Sequence, residues 1–289
     1  MTKTISSPLP PGRPLRIAKR RVDLGVLWTL FSFTLRQHAR GRRLLILAVL
    51  FSLPALLVIL IRSLNPQASL VHVEFGFLFN MIPYTLIPLT AVLYASGMIQ
   101  DEIEDQTLTY LLVRPLPKGF IYLVKLLATL VVAAALPVLF TFVTYVAMYW
   151  GSPGWEDALT QRAPRVAALF GLSTVGYCAL FGCISLFTRH SLVAGVAYVV
   201  IFEGVLANID FAGRRLTFMY YFRALARRWV PLDWAVITRG GDPWSINLAE
   251  APTAAGCVWT VLLVSLAATA LAMLTFASRE FRVKTPEGS

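Results

Sequence analysis

Four carboxylates stand close together between two long apolar runs of the chain: Asp101, Glu102, Glu104 and Asp105. Two neighbouring carboxylates can serve as general acid and general base when apolar walls raise the pKa of one of them. These four instead adjoin polar sequence that is typical of an aqueous surface, so the pattern disfavours catalysis. An acidic helix that stops at the prolines of Arg114–Lys118 favours a docking surface for a protein partner. A solvated acidic loop is the alternative.

Glu203 is a second candidate functional residue, because its carboxylate interrupts the apolar run Ser191–Asn208. A carboxylate at membrane depth is costly, and its default interpretation is a functional one. Glu203 lies five residues before Asn208, so we expect it near the outer end of the run, paired with Arg214 or Arg215. Two alternatives stay open: Glu203 lines a transport path, or it handles protons.

Other catalytic constellations are missing from the sequence. The chain has no G-x-x-x-x-G-K-[ST] loop for nucleotide phosphates and no H-E-x-x-H pair for zinc. Its three histidines lie in separate segments, outside the apolar runs in which an intramembrane hydrolase would need one. The cysteines show no C-x-x-C spacing. The sequence therefore predicts no catalytic residue, no cofactor and no metal in this chain.

The composition is that of an integral membrane protein. Of 289 residues, 57% are hydrophobic and only 14% are charged, whereas a soluble domain has about 25% charged residues. The formal net charge of +11 does not indicate nucleic-acid binding, because no recognisable reader motif accompanies it. Ten of the 26 Lys and Arg residues instead lie within the first 43 residues, ahead of the first apolar run.

Six apolar runs are long enough to cross a bilayer, which takes about 20 residues per helix. They are Leu44–Ile61, Phe75–Ile99, Gly119–Trp150, Val166–Phe187, Ser191–Asn208 and Thr253–Phe276. An even number of spans places both termini on one side of the membrane. Because basic residues concentrate on the cytoplasmic side, the basic N-terminal flank predicts cytoplasmic termini and a cytoplasmic acidic segment.

Two segments outside these runs have distinctive patterns. Val22–Arg43 is apolar first and basic last, so it can lie in the membrane interface with Trp28 and Phe33 directed inward and its arginines near lipid phosphates. The alternative is an extension of the first span that kinks at Gly41. Asp210–Pro252 is polar yet rich in Trp and Tyr, which favour the headgroup level. It predicts one or two short helices that dip into the outer leaflet, or else a folded outer cap that closes the bundle.

The segment between the second and third runs resembles the permease subunit of a type-2 ABC exporter. That family has the pattern E-x-E-x-G-T-L-x-x-L-L-x-x-P, followed by a basic residue and by a Lys inside the next helix. Gln106 stands where the pattern has Gly; the matching residues are Glu102, Glu104, Thr107, Leu108, Leu111, Leu112, Pro115, Lys118 and Lys125. The resemblance implies that a separate ABC ATPase docks here, on the coupling residues Asp101, Glu102, Glu104, Asp105, Thr107, Leu108, Arg114 and Pro115. It also implies a cytoplasmic connecting helix at Val22–Arg43 and re-entrant helices before the last span.

These features together predict an all-α, polytopic membrane protein of six transmembrane helices. A single permease domain would cover residues 22–284, between a basic tail at 1–21 and a short tail at 285–289. The predicted function is ATP-driven export of a hydrophobic or amphipathic substrate across a bacterial plasma or inner membrane. The predicted partners are an ABC ATPase subunit, a second permease copy and membrane lipids, with no nucleic acid. A non-transporting membrane scaffold and an intramembrane hydrolase are the alternatives.

Overall fold

The computed structural model describes residues 24–104, 117–188, 190–209, 212–239, 244 and 246–278; at 102–104 and 212 it describes the backbone alone. The regular structure of these residues is helical, and six helices are long and apolar enough to cross a membrane. They are span one (Arg42–Leu64), span two (Leu70–Asp101), span three (Lys118–Tyr149), span four (Trp155–Phe187), span five (Ser191–Asn208) and span six (Ala254–Ser278). The predicted all-α architecture with six spans is confirmed.

Span two begins before the apolar run that predicted it. The helix starts at Leu70, so His72 and Glu74 belong to the span and not to the preceding loop. We call the side of the bundle at the start of span one and the end of span two the near side, and the opposite side the far side. Glu74 therefore lies at the far side of span two.

Spans two and four form the centre of the bundle. Within the apolar 18-residue stretch of each span, 56% of the residues are buried in span two and 61% in span four. The corresponding fractions are 28% in span one and 22% in each of spans five and six. Span four packs against spans two, three and six. The outer spans expose many large apolar side chains, as expected of surfaces that face lipid.

Three spans contain π-helical stretches. The stretches are Phe75–Leu86 in span two, Ala158–Arg162 in span four and Val199–Val205 in span five. All three lie in the half of the bundle toward the far side. Span two continues toward the near side as the α-helix Ile87–Glu104.

The N-terminal helix (Leu24–Arg40) is separate from span one. Gly41 between the two has an extended backbone, with φ −70° and ψ 148°, and span one starts at the next residue. The helix packs against span three, and Thr34 is its buried residue. Trp28 and Phe33 are 69% and 64% exposed, so they are available to the predicted lipid interface, which stays a prediction.

The segment between spans five and six contains the predicted short helices. A 3₁₀ turn at Ala212–Leu216 leads into the cap helix (Phe218–Trp229), and a five-residue helix follows at Trp234–Thr238. Thr217 is the N-cap residue of the cap helix, and its hydroxyl accepts a hydrogen bond from the amide of Tyr220.

The cap helix packs along the far half of span four. Phe222 stacks on Phe170 with ring centroids 6.0 Å apart, and Arg165 donates to the carbonyl of Trp229 at 3.0 Å. At the other end Phe218 fills the space beside Gly176, where a Cβ would approach the phenyl ring to 2.7 Å. The start of the cap helix therefore lies level with the middle of the bundle.

Candidate functional site

An ion pair joins the first two spans at the near side. Arg43, in the first turn of span one, places Nη1 2.7 Å from Oδ2 of Asp101 and donates from Nη2 to Oδ1 at 3.1 Å. Both side chains are about two-fifths exposed, so a pair of this kind contributes about 1 kcal/mol or less. Its importance is geometric: it ties the start of span one to the last turn of the helix that leads into the acidic segment.

Gly97 makes this ion pair possible. The Arg43 guanidinium lies across the helix at Gly97, so a Cβ at this position would overlap Nη1 and would come within 3.1 Å of both Asp101 oxygens. Only a residue without a side chain lets the guanidinium approach the backbone so closely. Gly97 therefore leaves room for this ion pair between spans one and two.

Lys125 fixes the start of span three to the same end of span two. It is 2% exposed, and its Nζ donates to the carbonyl of Met98 at 2.9 Å. A positive charge near the C-terminal end of a helix also interacts favourably with the helix dipole. The end of span two at Asp101 is thus held by Arg43 from span one and by Lys125 from span three.

His38 connects the N-terminal helix to this cluster. Its Nε2 lies 3.1 Å from the Thr129 hydroxyl, and its ring meets that of Tyr94 edge-on at 5.3 Å. Burial, followed by the positive charges of Lys125 and Arg43, lowers the pKa of His38 to about 4, against an opposing effect of Asp101. The imidazole is therefore neutral at pH 7. We call the cluster of His38, Arg43, Gly97, Asp101, Lys125 and Thr129 the near-side junction.

In the sequence, most of the predicted coupling residues follow Asp101. Glu102 and Glu104 continue the helix that ends at Glu104, and their side chains are not described. The remaining ones lie outside the described residues: Asp105, Thr107, Leu108, Arg114 and Pro115. The docking role of the acidic segment therefore stays a prediction.

A family model described as ABC-2 family transporter protein matches residues 39–204, which is more than half of the chain. The chain belongs to this family. As an ABC-2 family protein with six apolar helices, it is a multi-pass membrane protein and a permease subunit of an ABC transporter, a class that works with an ABC ATPase on a partner chain. A comparison with curated proteins gives no match.

The family match covers the near-side junction from Arg43 onward, and it ends beside Glu203 at the far side. Glu203 is 1% exposed, but its predicted pairing with Arg214 or Arg215 is wrong. Its two oxygens accept hydrogen bonds from the backbone amides of Phe218 and Met219, each at 3.1 Å. The first amides of a helix have no intrahelical partner, so they can satisfy a buried carboxylate without a nearby arginine.

A second buried carboxylate in this ABC-2 permease went unnoticed in the sequence. Glu74 is fully buried and accepts from the hydroxyls of Tyr145 at 2.7 Å and Tyr149 at 2.5 Å. Arg162 donates to it at 2.6 Å and to the Tyr149 hydroxyl at 2.9 Å. We call these four residues the far-side tyrosine network; it joins spans two, three and four.

The sequence contained one usable signal for the far-side tyrosine network. Tyr145 and Tyr149 are four residues apart, so they lie on one face of span three. Glu74 borders the apolar run Phe75–Ile99, where a carboxylate without a partner would be costly. The residue that completes the set, Arg162, precedes the apolar run Val166–Phe187 that predicted span four, and only the packing of the three spans brings it to Glu74.

Among the described residues, no group of three His, Cys, Asp or Glu side chains is arranged to hold a metal ion. The three cysteines, Cys178, Cys183 and Cys257, are buried and unpaired as thiols.

Proposed function

We propose that this chain is the membrane permease of an ATP-driven exporter, and that its ATPase partner docks on the acidic segment and acts through the near-side junction. The observation that carries the proposal is the convergence of four elements at one place. The N-terminal helix meets span three through His38 and Thr129, span one meets span two through Arg43 and Asp101, and Lys125 holds span three to span two. A force applied to the acidic segment reaches all of them.

The near side is proposed to be cytoplasmic. The ten basic residues that precede span one support this orientation, because the excess of Lys and Arg near the first span dominates topology. Both termini and the acidic segment then face the compartment that supplies ATP. A bacterial plasma or inner membrane is the proposed location.

The mechanism we propose is a population shift. Closure of the ATPase subunits on ATP binding would displace the acidic segment and the N-terminal helix, and so bias the bundle between two conformations. The π-helical stretches at the far side support this view, because such segments often occur where a helix serves a function.

The substrate is proposed to be hydrophobic or amphipathic, and a second permease copy, identical or related, would complete the path. The support is the interior of the bundle: its two described buried carboxylates, Glu74 and Glu203, are satisfied by protein groups. Such an interior offers few polar partners to a sugar or an ion.

The docking proposal is tested by reversing charge at Glu102 and Glu104. The chain is purified from its native membrane, and we expect an ABC ATPase with vanadate-sensitive activity to accompany it. Glu102→Lys with Glu104→Lys should abolish this co-purification, because an attractive contact becomes repulsive. The matched control is Glu156→Lys with Asp157→Lys, the same charge change on exposed residues at the far side, which should leave recovery unchanged.

Two outcomes would contradict the proposal. Equal ATPase recovery with both double variants would mean that the acidic segment is not the docking surface. A partner without ATPase activity would favour the membrane scaffold. Membrane insertion of each variant is checked by its yield in the membrane fraction.

A further inference from the structure

Span five and the cap helix are fastened to each other at two points. The first is Glu203, whose carboxylate oxygens accept from the amides of Phe218 and Met219 at 3.1 Å each. The Tyr198 hydroxyl, one turn earlier on span five, lies 3.4 Å from Oε1. A carboxylate of span five therefore occupies the positive end of the cap helix dipole.

The second point lies further toward the far side, at Arg223 of the cap helix. Arg223 is 3% exposed and donates from Nη1 to the carbonyl of Ala207 at 2.9 Å and from Nη2 to Oδ1 of Asn208 at 2.5 Å. Ala207 and Asn208 form the last turn of span five, where carbonyls lack intrahelical partners. A cation of the cap helix therefore satisfies the negative end of span five.

The two fasteners are reciprocal. Each helix offers a terminus to a charged side chain of the other, and the two side chains have opposite signs. Both are almost fully buried, so water cannot replace the lost bonds if the helices separate. Separation would leave two charges in an apolar interior, which costs far more than the loss of a surface pair.

Span five is also attached to span two at both ends. At the near side, the Ser191 hydroxyl donates to the side-chain carbonyl of Gln100, the residue before Asp101. At the far side, the Tyr84 hydroxyl donates to Asn208 Oδ1 at 3.3 Å, and the Arg223 guanidinium lies over the Tyr84 ring at 5.0 Å. The near end of span five thus borders the near-side junction, and its far end holds the cap helix.

From this arrangement we infer that span five and the cap helix move as one rigid body, with Glu203 and Arg223 as its fasteners. Glu203 is a positioning residue in this unit, and movement of the near end of span five changes the position of the cap helix at the far side. The rigid body follows from the contacts alone; only the statement that ATP drives its movement rests on the proposed function.

The inference is tested by distances between spin labels. One label replaces Trp229, exposed at the end of the cap helix, and the second replaces Val205, exposed on span five. A reference pair joins position 229 to Leu60, exposed on span one. We expect the 229–205 distance to stay narrow and unchanged when nucleotide is added to the complex with its ATPase, whereas the 229–60 distance shifts.

Variants of the fasteners give the second readout, which needs neither nucleotide nor ATPase. Glu203→Gln with Arg223→Met should widen the 229–205 distribution about twofold or more, because the two helices then move separately. The matched control is Arg62→Met. Arg62 also donates to helix-end carbonyls at the far side, those of Ala147 and Trp150, but it does not contact the cap helix.

Each result decides the inference. An equally narrow distribution in the fastener variant would overturn it, as would a nucleotide-dependent shift of the 229–205 distance in the wild-type protein. The wild-type measurement keeps the test valid if the double variant fails to fold. If nucleotide shifts neither pair but the variant broadens the 229–205 pair, the rigid body stands and the ATP-driven part of the proposed function fails.

Discussion

At the scale of single residues, the near-side junction depends on one absent side chain. Arg43 reaches Asp101 because Gly97 leaves the helix surface open beneath the guanidinium. Lys125 and His38 add contacts from span three and from the N-terminal helix. The exposed ion pair stabilises the fold little by itself, so its value lies in the position that it gives to the acidic segment.

Gly97→Ala should lower the stability of the protein by about 1 kcal/mol or less, because the added methyl group displaces the flexible Arg43 guanidinium and breaks its ion pair with Asp101. The measurement is denaturant unfolding in detergent. Gly171→Ala in span four is the control, since a Cβ there meets no atom within 4 Å, and its effect should stay within about 0.5 kcal/mol. In an Arg43→Ala background the destabilisation caused by Gly97→Ala should largely disappear. An equal destabilisation in that background would show that the added methyl group disrupts another contact.

His38 should make the stability of the protein depend on pH. Its pKa is about 4 in the folded protein and about 6.5 when exposed, so the unfolded state binds the proton first as pH falls. The contribution of neutral His38 is complete above pH 6.5 and is lost between about pH 6.5 and 4, with a size on the order of 2–3 kcal/mol.

The measurement for His38 is the unfolding midpoint as a function of pH, for the wild type and for His38→Gln. Glutamine can keep a hydrogen bond to Thr129 but does not titrate, so the variant should lose less stability than the wild type over this range. Parallel pH curves for the two proteins would contradict the prediction. Carboxylates that titrate in the same pH range change the stability of both proteins equally.

At the scale of elements, the far side is held by two kinds of buried charge. The far-side tyrosine network joins spans two, three and four through Glu74. The two fasteners, Glu203 and Arg223, join span five to the cap helix. Both carboxylates lie within or beside π-helical stretches. The far side thus combines irregular helix geometry with specific polar contacts. This combination favours a small number of distinct arrangements of the helices over continuous deformation.

Glu74→Gln should destabilise the bundle by about 3 kcal/mol, because it leaves the mostly buried Arg162 without its counter-charge. Adding Arg162→Gln should recover part of that loss, since the double variant retains neutral hydrogen-bonding groups beside Tyr149. The measurement is a double-mutant cycle on the free energy of unfolding. Strictly additive effects would show that the two side chains do not interact as the 2.6 Å contact implies.

At the scale of the whole molecule, the near-side junction lies at one end of the bundle and the cap helix lies in its far half. Span four runs through the centre, and the outer spans present apolar surfaces around it. The orientation of this bundle in the membrane determines whether the acidic segment can meet an ATPase. It is therefore the premise on which the proposed coupling depends.

Labelling of single cysteines tests the orientation. In a background without Cys178, Cys183 and Cys257, cysteine at Asp157 or Glu250 should react with an impermeant thiol reagent on intact cells, because both residues are exposed at the far side. Cysteine at Gln37, exposed on the N-terminal helix, should react only after the cytoplasmic face is opened. The reverse pattern would invert the topology. Thr217 is unsuitable as a label site, because it is fully buried.

The sequence by itself determined the class of the protein and the number of its spans, although spans two and four begin earlier, at Leu70 and Trp155, than their apolar runs predicted. Apolar runs of about 20 residues between charged loops leave a chain few alternatives in a bilayer, because each backbone polar group must be satisfied within its own helix. The sequence also predicts three elements that have a local pattern of charged or aromatic residues: the acidic segment, the N-terminal helix and the short helices before span six.

Only the tertiary structure decided which charges meet. Glu203 was expected to pair with an arginine, yet it binds backbone amides of the cap helix, which carry no sequence signal. Glu74 and Arg162 are 88 residues apart in the chain, and Arg43 and Asp101 are 58 apart. The reason is physical: the apolar middle of a span follows from its own transfer free energy, whereas its polar ends and the partner of a buried charge depend on how separate helices pack.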